Sequence, residues 1–208
     1  MDNALNSAEI RVLGALIEKE TATPEYYPLS LNGLVTACNQ KTSRFPVTEY
    51  SDADVLAALG RLRSRGFAAE ITGGSRVAKY AQRFTEKLNL GRRETAVLCV
   101  LMLRGPQTVG EIKGRTERIY GFSDLEEVES ILRKLAEWPE GPLVQKLPPA
   151  AGMKEPRYAQ TLGGGTELPQ PEQPAAPASD RITALEGEVA RLREEFESFR
   201  QRFEQLFS

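Results

Sequence analysis

At 208 residues, with 40% apolar and 27% charged side chains and a formal net charge of −2, the chain has the composition of a globular protein of one or two domains. No apolar run approaches the ~18–20 residues that cross a bilayer. Residues 1–5 carry neither a basic nor an apolar leader. Two cysteines, Cys38 and Cys99, do not suggest a disulfide framework, and a cytoplasmic protein is expected.

The chemistry that is missing narrows the reading further. No histidine occurs anywhere, which removes the commonest general base and the commonest metal ligand together. No Cys-x-x-Cys, phosphate loop, GxGxxG or G-x-S-x-G is present. Both cysteines sit in apolar helical patterns and read as core. The expectation is a non-catalytic protein with no metal and no cofactor.

In chain order, the first pattern is Leu5-x-x-x-Glu9-x-x-Val12-Leu13-x-x-Leu16, whose spacings put its apolar groups on one helical face. It recurs 85 positions later as Leu90-x-x-x-Glu94-x-x-Val97-Leu98-x-x-Leu101. A second helix follows in each half, from Pro28-x-Ser30-Leu31-x-x-Leu34 and Pro106-x-Thr108-Val109-x-x-Ile112. Ser30 and Thr108 are natural N-caps, since their hydroxyls can accept from an orphaned backbone N–H. Third helices open at Ser51-Asp52 and Ser123-Asp124, with core stripes Val55, Leu59, Leu62 and Val128, Leu132, Leu135. Gly66 and Trp138-Pro139 supply their stops.

After each third helix comes a hairpin pattern. The first runs from Phe67 to Ile71, turns at Gly73-Gly74, and returns over Val77 to Phe84. The second runs from Pro142 to Leu147 and returns over Arg157 to Leu162. Lys79-Tyr80-Ala81-Gln82 and Arg157-Tyr158-Ala159-Gln160 are near copies. Three helices and then a hairpin is the order of a winged helix-turn-helix. The fold expected is mainly α with small β-hairpin wings: two tandem winged helix-turn-helix domains, 1–88 and 89–163, and a C-terminal coiled-coil helix.

Residues 164–179 change composition to Gly, Pro, Glu, Gln and Ala and read as a linker. The coiled-coil segment, 180–208, carries Ile182, Leu185, Val189, Leu192, Phe196, Phe199, Phe203 and Leu206 at alternating spacings of three and four. That is a heptad seam. Its flanking pairs Arg181–Glu186, Glu188–Arg193 and Glu195–Arg200 would meet as opposite charges in a parallel pair. A parallel coiled-coil homodimer is the expected self-association, with a helix folded back on the body as the alternative.

Several longer strings carry a resemblance. Val12-Leu13-Gly14-Ala15-Leu16-Ile17-Glu18-Lys19, Thr23-Pro24-Glu25-x-Tyr27-Pro28-Leu29-Ser30-Leu31-Asn32 and Ala37-Cys38-Asn39-Gln40-Lys41 resemble the YceH-like family of bacterial proteins. So do Leu103-Arg104-Gly105-Pro106-Gln107-Thr108, Arg115-Thr116-Glu117-Arg118 and Asp124-Leu125-x-Glu127-Val128-Glu129. The resemblance spans roughly residues 5–163 and implies tandem winged helices in a bacterial cytoplasmic protein, with little about function. Ser43 and Phe45 stand where the family tends to have Asn and an acid. Pro149 and Lys154 replace usual arginines, and Gln160 a usual histidine.

Winged helices often bind DNA, and the charge pattern bears on whether this one does. Residues 1–88 hold 11 basic and 10 acidic groups, 89–163 hold 11 and 10, and 164–208 hold 5 and 9. Neither repeat has a global basic field. Locally, Asn39, Gln40, Lys41, Thr42, Ser43 and Arg44 offer the amide, hydroxyl and cationic groups that meet phosphates and base edges. Arg61 near the end of the third helix, with Arg76 and Lys79 at the first wing, completes the candidate DNA face. Lys113, Arg115 and Arg118 are weaker candidates in the second repeat. Its third helix opens with four carboxylates, which a phosphate-walled groove would repel. Tyr26-Tyr27-Pro28 reads as rings filling the gap between helices, or as an exposed aromatic pair at an interface. Two functions stay open: a dimeric DNA-binding transcriptional regulator, and a scaffold that docks an unknown protein partner.

Overall fold

A computed structural model of the chain describes residues 4–71, 77–149 and 155–164, together with Arg191. The chain divides into two compact units, Met1–Gly165 and Thr166–Ser208. The linker beyond Gly164 and the heptad seam from Ile182 to Leu206 lie outside the described residues. The first unit is mainly helical with two small antiparallel sheets.

Helix α1 (Ser7–Ala22) starts at Asn6, whose side chain accepts from Glu9 N at 2.9 Å while Glu9 Oε2 accepts from Asn6 N at 3.0 Å. This reciprocal box satisfies two donors that the first turn leaves unpaired. A 3-10 turn at Pro24–Tyr26 leads to β1 (Leu29–Ser30) and α2 (Leu31–Cys38). Ser30 caps α2, accepting from Gly33 N at 3.2 Å. Helix α3 (Asp52–Ser64) opens with a Ser51–Asp54 box. Strands β2 (Ala68–Ile71) and β3 (Lys79–Gln82) then pair antiparallel, and β1 joins the other edge of β3. The return strand ends earlier than the sequence pattern suggests. Phe84 does not continue it but opens a one-turn helix, α4 (Phe84–Lys87), and packs edge-on against Phe67 at 5.1 Å.

The second half repeats this order. Helix α5 (Arg92–Arg104) is followed by α6 (Val109–Thr116), capped by Thr108, and by α7 (Leu125–Ala136). The N-cap of α7 is Asp124, which accepts from Glu127 N at 2.8 Å, and Ser123 lies one residue outside. Strands β4 (Val144–Leu147) and β5 (Arg157–Gln160) form its hairpin. Even the third strand has an echo, for Gln107 bridges Tyr158 as Leu29 pairs with Tyr80. On α7 the stripe Val128, Ile131, Leu132 and Leu135 is buried, and each such side chain contributes about 1.5–3 kcal/mol.

Helices α1 and α5 pack directly on one another, so both halves share one continuous core. The approach is close at Gly14, where a Cβ would lie 3.0 Å from Leu103 Cδ2 and 3.1 Å from Met102 Cβ. Cys99, the repeat counterpart of Gly14, donates its Sγ–H to the Gly14 carbonyl at 3.5 Å. The ends of the unit also meet: Leu5 N donates to Leu162 O at 2.7 Å.

Candidate functional site

A cleft of about 870 Å³ opens where the two halves meet. One wall is the end of α1 (Glu18, Lys19, Ala22, Thr23) and the loop after α2 (Gln40, Lys41, Thr42, Ser43). The opposite wall is the end of α5 (Val100, Leu103, Arg104) and the end of α6 (Arg115, Glu117, Arg118, Ile119), with Cys99 at the base. Five cations therefore face two carboxylates, Glu18 and Glu117.

The loop that carries Gln40–Ser43 is held by two buried arginines. Arg11 donates to Cys38 O at 3.0 Å, Thr48 Oγ1 at 3.0 Å and Pro46 O at 2.6 Å. Burial, and then the charge of Arg44, lower the proton affinity of Arg11. Arg44 meets Glu18 through Nη1 at 3.1 Å and Nη2 at 2.6 Å, and donates to Ala37 O through Nε at 3.0 Å. From the second half, Leu103 O accepts from Phe45 N at 2.9 Å, and Arg104 Nη2 donates to Ser43 Oγ at 2.6 Å. Ser43 has φ 62°, the left-handed region in which Asn is more at home than Ser.

These contacts correct part of the candidate DNA face. Arg44 is not a surface cation: its side chain is buried and its donors are taken by Glu18 and main-chain carbonyls. Asn39 spends its amide on Tyr50, donating to its carbonyl and accepting from its N–H, both at 2.8 Å. Arg61 turns its Nε to buried Glu9. The pair Lys134–Glu94, at 2.6 Å, repeats that bridge in the second half. Both tie a first helix to a third helix. Arg63 pairs with Glu70 at 2.8 Å.

The other candidates sort by place. Gln40, Lys41 and Thr42 stand on one wall of the cleft and Arg115 and Arg118 on the other, so residues from both repeats come together. Lys79 shares a neighbouring hollow with Gln40 and Lys19. Lys113 is half-buried and outside the cleft lining. Arg76 lies outside the described residues. Of the aromatic pair, Tyr27 is packed and its hydroxyl accepts from Gln82 N at 2.6 Å, whereas Tyr26 is 71% exposed. Burial raises the Tyr27 phenol above its ordinary value.

Two cleft cations, Lys19 and Arg104, escape motif reading. They occupy the same position in the two copies, at the last turns of α1 and α5, and the repeat was the signal that could have found them. Burial, and then the charge of Arg115, pull the Arg104 guanidinium below its ordinary value, Glu18 opposing. Among the described residues no carboxylate pairs with Arg104, Lys41 or Arg118 within 4.0 Å. Such an arrangement is chemically suited to anions.

These features define a mainly helical protein of two internal repeats, with a cationic cleft where the repeats meet. The chain belongs to the family described as "Protein of unknown function, DUF480", which matches residues 5–153. It is similar to a UPF0502 protein of Solibacter usitatus, 57% identical over 209 residues, covering 98% of this chain and 100% of that protein. A UPF0502 protein of Geobacter metallireducens is 51% identical over 197 residues, covering 94% and 90%. One of Aeromonas hydrophila is 43% identical over 217 residues, covering 99% of each. No helix among the described residues is long and apolar enough to cross a membrane.

Proposed function

We propose that the protein is a dimeric DNA-binding regulator built from two tandem winged helices, which grips duplex through phosphates at the rim of the cleft. The observation that carries this reading is the convergence of Gln40, Lys41 and Thr42 from one repeat with Arg115 and Arg118 from the other. The third helices contribute little base reading. Between its acidic first turn (Asp52, Asp54) and Arg61 and Arg63, which pair with Glu9 and Glu70, the exposed face of α3 offers Ala53, Leu56, Ala57 and Gly60. The first turn of α7 carries Glu126 and Glu127, the latter accepting from Ser123 N. Affinity then rests on the backbone and falls steeply with salt. The heptad seam from Ile182 to Leu206 pairs two copies in this reading.

The experiment is anisotropy on random duplex DNA across a salt series, with a Lys41→Ala/Arg118→Ala variant alongside. Each lost phosphate contact lowers the log–log salt slope by about 0.9, so the double variant should lose roughly 2. Flat anisotropy at low salt would overturn DNA binding.

A second reading has its own support. Leu56 on α3 is 44% exposed and Phe45 is 65% exposed, while Arg44, Arg61 and Arg63 are internally paired. These favour a scaffold that docks a protein partner on the face of α3, and a pull-down with a Leu56→Glu control separates it from the first.

A further inference from the structure

The cations of the cleft do not all face outward. Lys41, Arg115 and Arg118 are exposed at its rim, whereas Arg104 is half-buried between the ends of α5 and α6 and the α2–α3 loop. A duplex is too wide to enter a concavity of about 870 Å³, a volume within the usual range for small-ligand sites. Rim contacts with DNA therefore leave Arg104 unaccounted for.

Its surroundings say what would satisfy it. Among the described residues the guanidinium has one hydrogen-bond partner, the neutral Ser43 hydroxyl at 2.6 Å. The charges that act on it are unhelpful: Arg115 and Arg44 repel it, and Glu18, which attracts it, is already gripped by Arg44 through both carboxylate oxygens. Arg115 leans on Glu111 at 3.4 Å, a long contact on an exposed pair. The cleft thus lines itself with five cations against two carboxylates, with Arg104 set inward and Arg115 and Arg118 exposed at the rim.

We infer that the interior of this cleft is a binding site for a small organic phosphate, held by Arg104 and Arg118 with Lys41 and Lys19 from the facing wall. A single carboxylate would leave most of the excess charge unmatched, whereas a phosphate or diphosphate brings about two or more negative charges and several acceptors for bidentate guanidinium contacts. Thr42 and Ser43 add hydroxyls to the lining, and Val100, Leu103 and Ile119 add apolar surface for the carbon skeleton of the ligand. The site draws on both repeats, so its occupant bridges them. It shares rim cations with the proposed DNA contact, and a bound phosphate would compete with duplex there.

The test uses the full chain and pyrophosphate as probe, titrated calorimetrically at low ionic strength with sodium chloride matched in the reference arm. Saturable binding is expected, weakened about tenfold or more by Arg104→Gln. Arg118→Gln is the second variant should Arg104→Gln fold poorly, and Arg133→Gln, on α7 and outside the cleft lining, should bind as the parent does. Absence of saturable binding at millimolar pyrophosphate overturns the site. So does binding that survives both cleft variants, or that Arg133→Gln weakens equally. Anisotropy on duplex with the same proteins keeps the two proposals apart. Pyrophosphate binding without DNA binding sinks only the regulator, and DNA binding without pyrophosphate binding sinks only this site.

Discussion

Replacing Arg44 with methionine keeps an unbranched apolar stem, shorter than the arginine, and removes the charge and the donors. In the parent, the guanidinium is enclosed and makes contacts to both Glu18 oxygens, to Ala37 O and to Ser43 O. The variant leaves Glu18 with only the longer contact to Lys19, at 3.6 Å, and the Ala37 carbonyl without two donors. Removing one member of a buried pair costs about 3–5 kcal/mol. The Glu18 side chain is 18% exposed, so water recovers part of its solvation and the low end, about 3 kcal/mol, applies. For a unit of this size each kcal/mol moves the melting midpoint by about 2–4 °C, which places the fall at roughly 6–12 °C. Circular dichroism melts of Arg44→Met, Glu18→Gln and the double variant form a cycle in which the double change costs less than the sum of the singles. A fall of under about 2 °C for Arg44→Met would refute the reasoning, because it would mean that the guanidinium is solvated.

Two glycine changes should have opposite signs. Gly14→Ala puts a methyl 3.0–3.1 Å from Leu103 and Met102 and should destabilise by about 1–2 kcal/mol after the helix-propensity gain is subtracted. Gly60→Ala, with nothing within 4 Å of the added carbon, should stabilise by about 0.5–1 kcal/mol. Equal melting shifts would show that the α1–α5 approach is looser than described. Burial pushes the Cys38 thiol up to about 12 and the Cys99 thiol up as well. Neither should react with a thiol reagent near pH 8 until denaturant is added, and rapid native labelling would contradict their enclosure. Burial raises the Glu94 carboxyl, but its bonds from Lys134 and its own backbone N–H outweigh this and hold it below the usual range. The stability it contributes is present above the unfolded carboxylate pKa and is lost as pH falls through the lower folded value. Glu94→Gln should therefore flatten the acid limb of a stability–pH curve, and an unchanged limb would count against the bridge. Charged replacements of Leu192 and Phe199 should yield monomers by sedimentation, and a parent already monomeric would overturn the seam.

What is legible in a sequence is what neighbours in the chain decide. The apolar stripes of α1, α3, α5 and α7 and the caps Ser30 and Thr108 are set within a few residues and lie where their patterns put them, except that Leu5 and Leu90 fall just before the caps of α1 and α5 rather than on the helices. Phe84 departs from its strand to open α4, where its ring meets Phe67, just before β2, edge-on. The candidate site was less legible, for a reason of distance. Whether an arginine is a surface cation depends on whether a carboxylate waits elsewhere, and Glu18 lies 26 positions from Arg44 while Glu9 lies 52 from Arg61. Arg104 shows the converse: it reads as a routine helix-end charge and becomes conspicuous only when α6 brings the charge of Arg115 to bear on it while no carboxylate among the described residues pairs with Arg104 itself.

The close passage of α1 over α5 at Gly14 also acts as a gauge. The two hairpins, β2–β3 and β4–β5, belong to halves joined through the packed side chains of α1 and α5, and β3 lies against α1 as β5 lies against α5. A partner that touches both hairpins meets a spacing set in the interior of the protein. Thickening the seam at Gly14 would recalibrate that spacing while leaving every surface residue as it was.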